Sequence, residues 1–310
     1  MIKWWKKWFE PKPYNQGYLP ERDGHRVFFM EFGNPKGKPV LVFHGGPGGG
    51  SRPNHASFAN LRKNRVILFD QRGCGNSLPG GRLENNNTQS LLDDATCLLN
   101  YLKINEKIII RGASWGSTLG LLWAQKNPEK VEKLLLSQIF LANEDCRFWE
   151  FEGNRFFYPD FVAMLEGKAR GDIPAYFAAE INSKSLKKQL DAANYYGWYE
   201  RICGNLAPQW NSLQELDAKT LAELRIFMHY RAHDFMLQPD QIMKNINKIK
   251  HIPTVIVHNR LDFVCPLKGA YDLHKAMPNS RLIIVPERGH VGKLLYKTII
   301  QEFRKEIDNG

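Results

Sequence analysis

Short runs of β-branched and aliphatic residues recur along the chain, each stopped by turn chemistry. Val40 to Phe43 ends at His44-Gly45, Val66 to Phe69 at Asp70, and Ile108 to Ile110 at Arg111-Gly112. Leu134 to Leu136, Thr254 to Val257 and Leu282 to Val285 follow the same form. The runs are continuously apolar instead of alternating, as strands buried on both faces of a parallel sheet must be. Between them lie stretches with helical character, at about Thr88 to Leu102, Ser117 to Gln125, Leu267 to Ala276 and Lys293 to Ile307. Strand and helix alternate, which predicts an α/β protein with a mostly parallel central sheet.

The rhythm stops after about Ala142 and resumes near His251. The intervening segment is rich in Phe, Tyr, Trp, Lys and helix formers and poor in strand-like runs. It predicts a core formed by residues 1–142 and 251–310, interrupted by a helical cap at 143–250. An insertion between core strands sits over their carboxyl ends, where open sheets bind ligands. The cap is thus expected to shape a substrate pocket.

Composition narrows the class without naming a chemistry. A chain of 310 residues, 43% apolar and 24% charged, buries a full core without metal or disulfide support. The five cysteines, Cys74, Cys97, Cys146, Cys203 and Cys265, are scattered and lack C-x-x-C spacing. Neither a disulfide framework nor a zinc site is expected, and a reducing, cytoplasmic setting is. The formal charge of +11 comes from Lys and Arg spread along the chain, with no nucleic-acid-binding motif beside them, so no nucleic-acid partner is expected. The N-terminal Lys3, Trp4, Trp5, Lys6, Lys7, Trp8 and Phe9 lack a signal peptide's apolar run. They read as an arm packed on the domain, with weak contact to a membrane surface as the rival reading. No run of ~18 apolar residues occurs, so no membrane insertion is expected.

The chemistry is concentrated at three places. Ile108 to Ile110 leads into Gly112-Ala113-Ser114-Trp115-Gly116 and then into a helix-like stretch, giving strand, G-x-S-x-G, helix. A serine on that sharp turn is an exposed nucleophile at a helix N-terminus, where free N–H groups stabilise developing negative charge. The glycine-rich turn His44-Gly45-Gly46-Pro47-Gly48-Gly49-Gly50 follows an early strand. There the N–H of Gly46, or of Gly45, joins that of Trp115 as a candidate oxyanion hole; the lysine of a phosphate-binding loop is missing. A serine nucleophile needs a histidine base held by a carboxylate. Asp262 and His290, each on the loop after a later strand, occur in the required order and complete a candidate triad with Ser114. Asp70 precedes the serine and reads as a loop anchor, and His258 as a packed structural residue.

These blocks resemble the proline iminopeptidase (prolyl aminopeptidase) family of α/β-hydrolases over nearly the whole chain. His44 to Gly48, Asp70-Gln71-Arg72-Gly73-Cys74-Gly75-Asn76-Ser77, Gly112 to Leu119, and His251-Ile252-Pro253 through Asp262 to Cys265-Pro266 carry the likeness. The resemblance implies a serine exopeptidase acting on peptides with N-terminal proline, with Ser114, Asp262 and His290 as triad and no metal or cofactor. It also implies that cap carboxylates hold the substrate's free amine. Trp198-Tyr199-Glu200 resembles the motif bearing one of them, which makes Glu200 a substrate-binding candidate, and Phe140 matches a position lining the pyrrolidine pocket. The pattern breaks where a second glutamate is expected, because this chain has Phe227, with Glu223 one helical turn away. Tyr196 and Tyr199 replace tryptophans, and Val291 replaces a small residue. A broader aminopeptidase or small esterase therefore stays open as an alternative, as does a non-catalytic binding protein on the same fold.

Overall fold

The continuous apolar runs become neighbouring strands of one sheet. The computed structural model describes residues 10–205 and 215–308; the Lys-Trp arm at residues 3–9 lies outside them. The strands are β1 (Asn15–Tyr18), β2 (Phe28–Gly33), β3 (Lys38–Phe43), β4 (Asn64–Phe69), β5 (Ile108–Ala113), β6 (Val131–Ser137), β7 (Thr254–Leu261) and β8 (Ser280–Arg288). Their order across the sheet is β1-β2-β4-β3-β5-β6-β7-β8. Strands β3 to β8 run parallel, whereas β1 and β2 form an antiparallel edge. The order reverses beside β3, with β4 on one side and β5 on the other, so the loops after β3 and β5 open into the crevice where such sheets bind ligands.

Helices cover both faces, as parallel strands buried on each side require. They are α1 (Thr88–Tyr101), α2 (Trp115–Lys126), α3 (Glu144–Phe148), α4 (Pro159–Ala169), α5 (Ile173–Ile181), α6 (Leu186–Asn205), α7 (Ala218–Ala232), α8 (Gln241–Lys244), α9 (Leu267–Ala276) and α10 (Lys293–Asp308). One core layer joins α1, α2 and α9 to Leu41, Ile67, Ile110 and Leu134; the other joins α10 and the stretch around Phe58 to Val40, Val66 and Ile109. Alternate residues of the same strands thus feed opposite layers. Between β6 and β7, helices α4 to α7 pack around their own cluster, centred on Leu165, Phe177, Tyr196 and Tyr199. No described helix is long and apolar enough to cross a membrane.

Two local features differ from the sequence expectation. The sequence pattern ends a strand at Ile110, but β5 continues through Arg111 to Ala113, so Arg111 is a strand residue whose guanidinium lies 4.9 Å above the Phe303 ring. The pattern also lacks β1 and β2. Strand β2 carries Glu31 in its interior, buried and paired with Arg65 at 2.6 Å, a charge that interrupts the apolar run but is neutralised across the sheet.

Candidate active site

Strand β5 and helix α2 meet at Ser114, whose backbone sits at φ 54° and ψ −127°. A non-glycine residue there is strained, at a cost of about 1–3 kcal/mol, and is held only by tight surroundings. The flanking glycines supply that tightness. A Cβ on Gly112 would run into the Gly116 carbonyl, and one on Gly116 into the Phe43 carbonyl at the end of β3. The G-x-S-x-G spacing is therefore a contact between backbones, and it aims Ser114 into a cavity of about 780 Å³.

Asp262 and His290 follow β7 and β8 and meet at that cavity. The His290 Nδ1–H donates to Asp262 Oδ2 at 2.8 Å, which leaves Nε2 of the neutral ring as the proton acceptor. The second oxygen, Asp262 Oδ1, accepts from the N–H groups of Val264 and Cys265, each at 2.9 Å, so the carboxylate cannot swing away. The His290 backbone is tied on both sides of its Cα: its N–H donates to the Gly204 carbonyl at 2.7 Å, and its carbonyl accepts from Gln138 Nε2 at 2.8 Å. Burial pulls the His290 pKa down, yet the charge and hydrogen bond of Asp262, with Glu200 adding to them, raise it above the ordinary value. His258 is held differently. Its Nδ1 accepts from the Ile139 N–H at 3.0 Å, so Nε2–H donates to the Cys265 carbonyl at 2.9 Å, and burial keeps the ring neutral.

The glycine turn is locked to the elbow by a chain of side chains. His44 Nε2 accepts from the Gln71 N–H, Gln71 Nε2 donates back to the His44 carbonyl, and Gln71 Oε1 accepts from Trp115 Nε1–H, all at 3.0 Å. Burial lowers the His44 pKa, and its Nδ1–H donates to the Gly45 carbonyl at 2.7 Å. Gly46 stands at φ 126°, where a Cβ would meet Gly48 N at 2.6 Å. Trp115 is the first residue of α2, so its N–H has no acceptor within the helix. Both Gly46 and Ser114 line the cavity. Asp70 anchors the neighbouring loop, accepting from Ser51 N at 2.5 Å and Asn76 N at 2.7 Å.

Part of the cavity wall is made by the helical segment between β6 and β7. Glu200 on α6 lines it, with burial pushing its carboxyl up to about 7 against the opposing pull of His290. Phe140 lines it too, edge-on to Phe235 at 4.9 Å, as does Phe227, 5.9 Å from the Tyr196 ring. Glu223 does not line the cavity; its backbone carbonyl packs over Gly48. The carboxylate that does line it beside Phe227 is Glu150, in a π-helical turn after α3. Arg231 stands one turn beyond Phe227 on α7 and holds Glu150 in an ion pair, and the Tyr196 hydroxyl donates to the same carboxylate. Glu150 escapes the sequence reading because its partner Arg231 is remote in the chain, and a single glutamate between Trp149 and Phe151 matches no motif. Cys265 lies beside the elbow, its buried thiol within hydrogen-bonding reach of Ser114 and pushed well up by that burial.

Residues 38–295 match the alpha/beta hydrolase fold family. A proline iminopeptidase of Arabidopsis thaliana is 39% identical over 289 residues, covering 90% of this chain and 76% of the relative. That of Xylella fastidiosa (strain Temecula1) is 38% identical over 293 residues, covering 91% and 92%, and that of Neisseria gonorrhoeae is 36% identical over 286 residues, covering 90% and 91%. Among solved structures, VinJ superposes with a TM-score of 0.66 at 19% identity over 96% of this chain and 99% of its own. Proline iminopeptidase of Mycobacterium smegmatis superposes at 0.56 and 20%, over 95% and 97%. These two likenesses speak to the fold, whereas the sequence relatives speak to lineage. The chain belongs to the proline iminopeptidase family of the α/β hydrolase fold.

Proposed function

We propose that this chain is a serine exopeptidase that releases N-terminal proline from peptides, with Ser114, His290 and Asp262 as its catalytic triad. The observation that carries the reading is the Asp262–His290 hydrogen bond beside a cavity that His290 lines together with the strained Ser114 and with Glu200. His290 Nε2 takes the proton of Ser114 as Oγ attacks the prolyl carbonyl. The N–H groups of Gly46 and Trp115 receive the charge that develops on the carbonyl oxygen. His290 then gives the proton to the leaving amine, and water attacks the acyl-enzyme by the same route in reverse to free proline. Asp262 orients the imidazole and stabilises its charged form.

The segment 143–250 acts in this reading as a cap over residues 1–142 and 251–310, with Glu200 pairing with the prolyl ammonium and Phe140 against the ring. Substrates are peptides, and a cytoplasmic setting agrees with five unpaired cysteines. In a Ser114→Ala variant, turnover of a prolyl arylamide falls to background while the fold persists. Blocking the amine of the same substrate lowers kcat/KM sharply in the parent, because a carboxylate built to meet an ammonium is left unpaired. Equal turnover of free and blocked substrates overturns the exopeptidase assignment. It would favour an esterase or broader hydrolase, for which the apolar Phe227 in the wall is the supporting feature.

A further inference from the structure

The cavity that holds Ser114 and Glu200 also has a basic stretch of wall. There it is bounded by Arg111 on β5, by Arg52 and His55 in the stretch after the glycine turn, and by Tyr296 on α10. Among the described cations of this cavity, Arg111 and the exposed Arg52 stand without the carboxylate partner that the others have. Arg231 pairs with Glu150, Arg147 pairs with Asp234 at 3.1 Å, and His290 pairs with Asp262. Among the described residues, Arg111 has no carboxylate within ion-pair distance. Its partners are the Gly112 carbonyl, the Ser137 hydroxyl at 3.0 Å and the faces of Phe303 and Phe58.

A guanidinium carries five N–H donors and a full charge, and burying it without an anion is costly. The cost is visible in its environment: burial pulls the Arg111 pKa down to about 10. His55 is affected by the same group. Burial first, and then the charges of His44, Arg111 and Arg52, lower its pKa to about 4. The His55 Nδ1 accepts from the Arg52 N–H at 3.3 Å, so the neutral ring keeps its Nε2–H as a donor. Arg52 stands at the exposed rim, where Glu223 also feels its charge without forming an ion pair. The cavity is therefore polarised. Acidic Glu200 and an uncompensated cation with neighbouring donors line the same cavity as the nucleophile.

We infer that Arg111, with His55 and Arg52, forms a carboxylate-binding subsite that receives the free C-terminus of a short prolyl peptide. The inference rests on the exopeptidase reading above and adds the substrate class. The acyl half of a prolyl dipeptide or tripeptide carries the ammonium and the leaving half the carboxylate. Such a zwitterion lies across Ser114 with each charge opposite its complement. A carboxylate on Arg111 meets a planar fork that is already fixed by Ser137 and stacked on Phe303, so little ordering remains to oppose binding. Longer peptides carry their carboxylate beyond the cavity and lose this contact.

The test compares prolyl-leucine with prolyl-leucinamide, and the corresponding tripeptide acid with its amide, with a prolyl arylamide as the reference substrate. The free acids should be preferred by about tenfold or more in kcat/KM, the size of one charge-assisted hydrogen bond. In Arg111→Gln the acid-to-amide ratio should fall toward one, and in Arg111→Lys part of it should return. Because the ratio is taken within one enzyme, a general loss of activity near the elbow cancels. His55→Ala, away from the strand, should lower the same ratio by a smaller factor. An acid-to-amide ratio near one in the parent enzyme, while the prolyl arylamide is still cleaved, overturns the subsite and leaves the exopeptidase reading standing. A ratio that survives Arg111→Gln unchanged also overturns it. Failure to cleave any free-amine prolyl substrate overturns the exopeptidase reading itself, and this inference falls with it.

Discussion

Glu200 meets two opposing demands. A carboxylate that greets an ammonium must be charged, yet its place in the cavity wall favours the neutral acid and brings its pKa to about 7. Activity on free-amine prolyl substrates should therefore rise with pH through neutrality as Glu200 ionises, in addition to the rise caused by His290 losing its proton. On an N-blocked substrate only the His290 limb should remain. Glu200→Gln should lower kcat/KM for the free-amine substrate roughly tenfold to a hundredfold, the worth of a hydrogen bond to a charged group, and abolish the difference between the two profiles. Stability should move the other way. The folded pKa lies above the ordinary 4.5, so the native state holds this proton more tightly, and stability falls as pH rises from about 4.5 to about 7. Thermal melts of Glu200→Gln and its parent should coincide on the acid side of that window, with the variant melting higher beyond it. A variant whose pH profile and melting behaviour match the parent's would remove Glu200 from amine recognition.

At the level of elements, the legible parts of the chain were those whose physics is local. Strands β3 to β8 announce themselves as continuous apolar runs, and the elbow as a motif whose glycines answer to backbone contacts two residues away. What stayed hidden depends on distant partners. Strand β2 is interrupted by Glu31, which only Arg65 on β4 makes tolerable, and Glu150 is recognisable only beside Arg231. Arg111 next to glycine looks like a turn, but aromatic rings from α10 and from the stretch after β3 convert it into a strand residue. Glycines test how far contact explains the elbow. Gly116→Ala drives a methyl group into the Phe43 carbonyl, so it should cost at least about 1–3 kcal/mol and separate β3 from α2, with activity falling along with the melting temperature. Gly167→Ala on the exposed side of α4 meets nothing within 4 Å, and it should be neutral or stabilising by up to about 1 kcal/mol through helix propensity alone. Equal effects at the two positions would show that the elbow has room its contacts deny.

On the scale of the molecule, the sheet and the helices above it have separate apolar clusters that share one cavity. Helices α4 to α6 bury side chains mainly against each other, whereas α7 also sends Ile226 and Tyr230 into the sheet-side core, and the described segment around them exposes Phe148, Phe156 and Phe157. The ties to the catalytic loops are few and specific: the Gly204 carbonyl at the end of α6 receives the His290 N–H, and Phe263 reaches up among Trp149, Phe157 and Tyr158. A unit with its own cluster and a small set of such ties opens at lower free energy than strands buried between two layers. Backbone amides of α4 to α6 should accordingly exchange with solvent sooner than those of β3, β5 and β6. A ligand spanning Ser114 and Glu200 adds a tie across the cavity, so saturating proline should slow exchange in α6 more than in α9, which does not line the cavity. Measured by hydrogen exchange and mass spectrometry, uniform protection across helices and strands would mean that the two clusters unfold as one. Protection by proline confined to the β7 and β8 loops would mean that α6 does not sense the occupied site. In either case, the hydrogen bond from His290 to Gly204 would be an anchor for the catalytic loop and not a link through which the helices report the bound substrate.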